Sequence, residues 1–87
     1  MSYRVHIETL PGGRRQKFHS MIEGQKAEIM EAVVGQRGWL WINLSDDPDI
    51  PYHRLHTSEI QSVEKEGLDK VVITTLNTKY ILTEIPS

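Results

Sequence analysis

Residues 38–44 read Gly-Trp-Leu-Trp-Ile-Asn-Leu, and the fold prediction begins from this alternating stretch. A period of two is typical of a half-buried β-strand, in which successive side chains point to opposite faces. The aliphatic face, which we expect to meet the core, carries Leu40, Ile42 and Leu44. Trp39 and Trp41 then lie on the face that points away from that core.

Two indole rings outside the core are the most informative feature of the sequence. Together they form an apolar patch, and such a patch is usually buried by another part of the chain or by a binding partner. Three interpretations remain open. The rings are covered by the N-terminal hairpin or the C-terminal tail, they form an interface between subunits, or they stack on a planar ligand such as a nucleobase.

Upstream of this strand, the sequence predicts an N-terminal β-hairpin. Residues 3–9 and 15–22 alternate, and Pro11-Gly12-Gly13 between them is a strong turn signal. A loop at Gly12-Gly13 pairs Ile7 with Phe18, Glu8 with Lys17, and His6 with His19. A loop at Pro11-Gly12 keeps the same faces but changes the partners.

The segment Gln25–Val34 is rich in helix formers and is followed by Gly35, a residue common just past helix ends. We therefore predict an α-helix here, packed on the aliphatic face of strand 38–44. A competing interpretation makes Glu28–Val34 a strand that turns at residues 35–38.

The C-terminal residues predict a second hairpin, with strands Val71–Leu76 and Lys79–Ile85 about Asn77-Thr78. Both of its faces are apolar or β-branched, which indicates either an oligomer or a closed, barrel-like sheet. The predicted subunit interface comprises Trp39, Trp41, Val72 and Ile81.

These elements predict one α+β domain over residues 1–87. Its order is ββαβββ, with room for one further strand, and its helix packs on one face of an antiparallel sheet. The chain contains no cysteine, which excludes disulfide scaffolds and Cys-ligated metal centres. Its apolar runs are too short to span a membrane, and Met-Ser-Tyr-Arg-Val-His does not resemble a signal peptide. We therefore expect a cytoplasmic protein without a cofactor.

Charge is distributed unevenly along the chain. Residues 1–26 hold five basic and two acidic side chains, a net charge of +3, whereas residues 27–87 hold five basic and ten acidic, a net charge of −5. The overall charge of −2 argues against a dedicated nucleic-acid binder. Arg14 and Arg15 are nevertheless candidates for an anion site near the first turn.

The segment Tyr52-His53-Arg54-Leu55-His56 supplies further anion donors. Leu55 should point inward, which turns Arg54 and His56 outward, where both can bind a phosphate or carboxylate. The sequence also contains two candidate acid–base histidine pairs, His6 with His19 and His53 with His56. No recognised motif completes a catalytic or metal site, so we predict neither.

We therefore expect a non-catalytic binding protein that holds an anionic ligand such as a nucleotide and works as a homo-oligomer. The predicted ligand residues are Trp39, Trp41, Arg54, His56, Arg14 and Arg15. In size and hairpin–helix–sheet order the chain is similar to small phage or mobile-element accessory proteins, which implies an anti-defence role. The alternatives are an inhibitor or adaptor that binds a host protein through its tryptophans, and a histidine-dependent nuclease or phosphodiesterase.

Overall fold

The computed structural model describes residues 2–13, 22–43 and 53–86, and its regular elements are antiparallel β-strands. They are β1 (Tyr3–Thr9), β2 (Lys26–Glu31), β3 (Arg37–Asn43), β4 (His53–Glu66), β5 (Lys70–Thr75) and β6 (Thr78–Glu84). Each strand pairs with the next in sequence, and β6 pairs with β1, so the sheet closes into a barrel. Of the two alternatives indicated by the C-terminal hairpin, an oligomer or a closed, barrel-like sheet, the structure has the closed sheet.

Closure depends on the pairing of the first and last strands. The register runs without a shift from Tyr3 opposite Glu84 to Thr9 opposite Thr78. The β1–β2 pairing is shorter and ends where the Gly24 N–H donates to the Val5 carbonyl at 2.7 Å. Closing the sheet pairs strand edges that would otherwise present free N–H and C=O groups.

Alternating apolar side chains fill the inside of the barrel. The two faces of β1 differ in burial, because Val5 and Ile7 are buried and the residues between and beside them are exposed. The core consists of Val5, Ile7, Ile22, Ala27, Leu40, Ile42, Leu55, Ile60, Ile73, Tyr80 and Leu82. The inward side chains of all six described strands thus belong to a single core.

The predicted α+β class is wrong, because the predicted helix Gln25–Val34 contains β2 instead. Ala27 is fully buried and Ile29 packs against the core, while Glu28 between them lies on the outer face. Pairing with β3 outweighs the helix propensity of this short segment, since propensity is weak beside tertiary packing. The competing strand interpretation was the better one.

The predicted packing of a helix on β3 is wrong for the same reason. Leu40 and Ile42 face the barrel interior, where they meet side chains from the other strands. Leu44 lies outside the described residues. Most of the second strand predicted for the N-terminal hairpin, residues 15–22, also lies outside them, as do Lys17, Phe18 and His19.

The C-terminal hairpin forms with its turn one residue earlier than predicted. Thr75 and Thr78 flank a loop of Leu76 and Asn77, and the Thr75 hydroxyl accepts from the Thr78 N–H at 3.1 Å and donates to its carbonyl at 3.0 Å. Moving a turn by one residue moves each cross-strand partner by two, so the predicted faces survive. Ile73 accordingly lies opposite Tyr80 rather than Leu82.

No helix among the described residues has the length and hydropathy needed to cross a bilayer.

The buried phenol of Tyr80 gives a test of the barrel interior. Burial raises the pKa of Tyr80 to about 12 from an ordinary value of 10.0. Because the folded state holds this proton more tightly, the associated stability is full below about pH 10 and is lost as the pH rises through about 12. We expect absorbance titration of the three tyrosines to show a late step that Tyr80→Phe removes.

Tyr3→Phe is the matched control for this titration and should retain the late step, because it leaves the buried Tyr80 in place. A single step near pH 10 for all the tyrosines of the folded protein would contradict the burial of Tyr80.

Candidate ligand-binding surface

Strands β3 and β4 bring four of the predicted ligand residues together on the outside of the barrel. Trp41 lies opposite Arg54, and Trp39 lies opposite His56. The residues between them, Leu40 and Leu55, are paired with each other and buried. We refer to Trp39, Trp41, Arg54 and His56 as the Trp–Arg surface.

The side chains of the Trp–Arg surface are in mutual contact. The two indole rings meet edge to face, with centroids 5.7 Å apart and an interplanar angle of 69°. The Arg54 guanidinium carbon lies 4.6 Å from the Trp39 ring centroid and 5.6 Å from that of Trp41. The His56 ring is tilted by 32° from Trp39 at 6.5 Å. Both distances from the guanidinium are within the range of cation–π attraction.

The glycine that precedes Trp39 fixes the approach of β3 to its neighbours. A Cβ atom at Gly38 would lie 2.6 Å from the Glu31 carbonyl oxygen and 2.6 Å from Ile60 Cδ1, so no larger residue fits without a shift. The Gly38 N–H also donates to the buried Thr57 hydroxyl at 3.0 Å. The start of β3 is thereby held against β4 at the level of the indoles.

Two carboxylates border the indoles on the side of β2. Glu28 lies opposite Trp41, and Glu31 lies opposite Trp39 after a bulge that contains the exposed Met30. Because we predicted a helix over these residues, we did not expect the two carboxylates beside the tryptophans. The competing strand interpretation does predict them, since a strand that turns near Gly35 is followed by an antiparallel β3 beside it.

The remaining predicted residues do not join this surface. Val72 and Ile81 lie opposite each other on β5 and β6, and Val72 is paired with Glu64 of β4. Glu64 is eight residues beyond His56, which is about 26 Å of extended chain. The predicted interface of Trp39, Trp41, Val72 and Ile81 is therefore not one patch. Arg14 and Arg15 lie outside the described residues.

The described histidine outside this surface has a structural contact. His6 Nδ1 lies 3.0 Å from Glu23 Oε1, and the same oxygen accepts from the Ile7 N–H at 3.2 Å. These two contacts hold the Glu23 side chain against β1. His19 and the side chain of His53, the other members of the predicted pairs, are outside the description. Among the described residues, no group of three or more His, Asp or Glu side chains is placed to hold a metal ion.

No protein-family model matches the chain, and no curated protein or solved structure matches it.

The contact between Arg54 and Trp39 should be measurable as a coupling energy. In a double-mutant cycle of Arg54→Met and Trp39→Leu, we expect about 0.5–1 kcal/mol of coupling in the free energy of unfolding. Urea denaturation of the four proteins measures it. The control cycle pairs Trp39→Leu with Lys79→Met on β6 and should be additive. Additivity in both cycles would show that the guanidinium does not interact with the ring.

Proposed function

We propose that the protein is a non-catalytic binding protein whose Trp–Arg surface takes an anionic ligand with a flat ring, such as a nucleotide. The carrying observation is the Arg54 guanidinium, held 4.6 Å from the Trp39 ring centroid in register with Trp41. The ring faces can stack on the base of a nucleotide, and the fixed cation can bind its phosphate.

The position of Arg54 over the Trp39 ring suits it to phosphate binding. A guanidinium has its N–H donors in its own plane, so contact of its face with an indole leaves donor edges for an anion. Bidentate pairing of such a fork with phosphate is among the stronger hydrogen-bonded contacts. Holding Arg54 in place before binding also reduces the side-chain entropy lost when the ligand arrives.

The indoles supply the second part of the site. Trp39 and Trp41 are each half-buried, which leaves part of each ring exposed on the outer face of the barrel. Stacking of a base on such a ring is worth about 1–3 kcal/mol. His56, beside Trp39, adds a donor or acceptor within reach of the same ligand.

In cellular terms, the proposal is a cytoplasmic homo-oligomer that sequesters its ligand, as an anti-defence accessory protein of a phage or mobile element would withdraw a signalling nucleotide. Size and the paired tryptophans support this role. The hairpin–helix–sheet order does not, because β2 replaces the predicted helix.

A second candidate is a protein-binding adaptor that uses the same tryptophans. It is favoured by exposed apolar side chains at and just after the end of β2, the strand that borders the tryptophans. Met30 is 47% exposed, Val33 46% and Val34 58%, and Met30 adjoins Glu31, the register partner of Trp39. Aromatic and methionine side chains are enriched at protein interfaces.

Titration with nucleoside monophosphates tests the proposal. We expect binding to change tryptophan fluorescence and to raise the melting temperature. Arg54→Met should weaken binding by about 10- to 100-fold, the loss expected for a charge-assisted hydrogen bond. Lys79→Met, which removes a cation elsewhere on the barrel, should bind as the parent does.

The absence of any response to all four monophosphates would overturn the nucleotide proposal. If Trp39→Leu then abolished capture of a purified protein partner while the barrel remained folded, the adaptor function would replace it.

A further inference from the structure

Resting on the proposed function, we infer that the base bound at the Trp–Arg surface is guanine, recognised by the carboxylate of Glu28. The inference comes from the row formed by Glu28, Trp41 and Arg54, which are register partners on three adjacent strands. An anionic side chain, an aromatic ring and a cationic side chain therefore follow one another across the outside of the sheet.

The order of groups along the row matches the order of groups along a nucleotide. Neighbouring strands lie about 4.8 Å apart, so the backbones that carry Glu28 and Arg54 are about 10 Å apart, with Trp41 between them. A purine nucleotide has its Watson–Crick edge and its phosphate at opposite ends. With the phosphate on Arg54 and the base over the indole, the Watson–Crick edge points toward β2.

The charge of Glu28 selects among the bases. A carboxylate only accepts hydrogen bonds, and guanine alone presents two adjacent donors on this edge, N1–H and the N2 amino group. Adenine presents its N1 lone pair beside the amino group, and a lone pair facing a carboxylate oxygen is repelled. Rejection of such a base is a strong source of specificity, because its polar atom is desolvated without a partner.

Glu28 is better placed for this role than Glu31. Glu28 is half-buried, follows the regular register and lies in the same row as Arg54. Glu31 is exposed, follows the bulge and is in the row of Trp39 and His56. The carboxylate in the regular part of β2 is the more constrained of the two.

Calorimetric titration with GMP, IMP and AMP tests the inference. IMP keeps the N1–H donor of guanine but lacks the N2 amino group. We expect GMP to bind at least about tenfold more tightly than AMP, with IMP between them, for one or two charge-assisted hydrogen bonds. Glu28→Gln should remove most of this preference, mainly by weakening GMP.

The matched control is Glu64→Gln on the distant part of β4, which should leave all three affinities unchanged. Equal affinities of the parent protein for GMP and AMP, both weakened by Arg54→Met, would overturn the guanine assignment while the proposed function stands. No binding of any of the three would overturn the guanine assignment, and the proposed function would be overturned with it if CMP and UMP also failed to bind.

A final arm distinguishes free nucleotide from nucleic acid, since guanine occurs in both. A short single-stranded oligoguanosine should bind no more tightly than GMP, in keeping with the net charge of −2. Much tighter binding with a steep dependence on salt would assign the surface to nucleic acid and overturn its assignment to free nucleotide.

Discussion

The pairing of β1 with β6 is the constraint on which the rest of the structure depends. It joins the two ends of the chain along the full length of both strands and turns an open sheet into a barrel. A closed sheet has one inside, so each strand sends one set of side chains to a shared core. The other set of side chains lies on the outside of the barrel, where they can contact a ligand or a partner.

The Trp–Arg surface follows from this division at β3 and β4. Leu40 and Leu55 are drawn inward, and Trp39 and Trp41 necessarily point outward beside Arg54. Cation–π contact then holds the guanidinium over the rings, and β2 adds carboxylates on the opposite side. The arrangement needs no loop to form, because strand pairing alone sets the order of acid, ring and cation.

Local patterns in the sequence predicted much of this arrangement. The alternation of β3 predicted both its buried aliphatic face and its outward tryptophans. The inward position predicted for Leu55 also placed Arg54 correctly on the outer face. The helix prediction failed because Gln25–Val34 combines helix-forming residues with a strand pattern, and only pairing with β3 decides between them. The position of Val72 relative to the tryptophans could not be predicted, because strand order determines such distances and periodicity carries no information about strand order.

The central claim is that a closed sheet presents Trp41 and Arg54 as neighbours on its outer face. Cross-strand nuclear Overhauser contacts in the isotopically labelled protein test it most directly. The account predicts contacts between Val5 and Leu82 and between Trp41 and Arg54, with an extended pattern through β2. Helical contacts through Gln25–Val34, without contacts between β1 and β6, would contradict it.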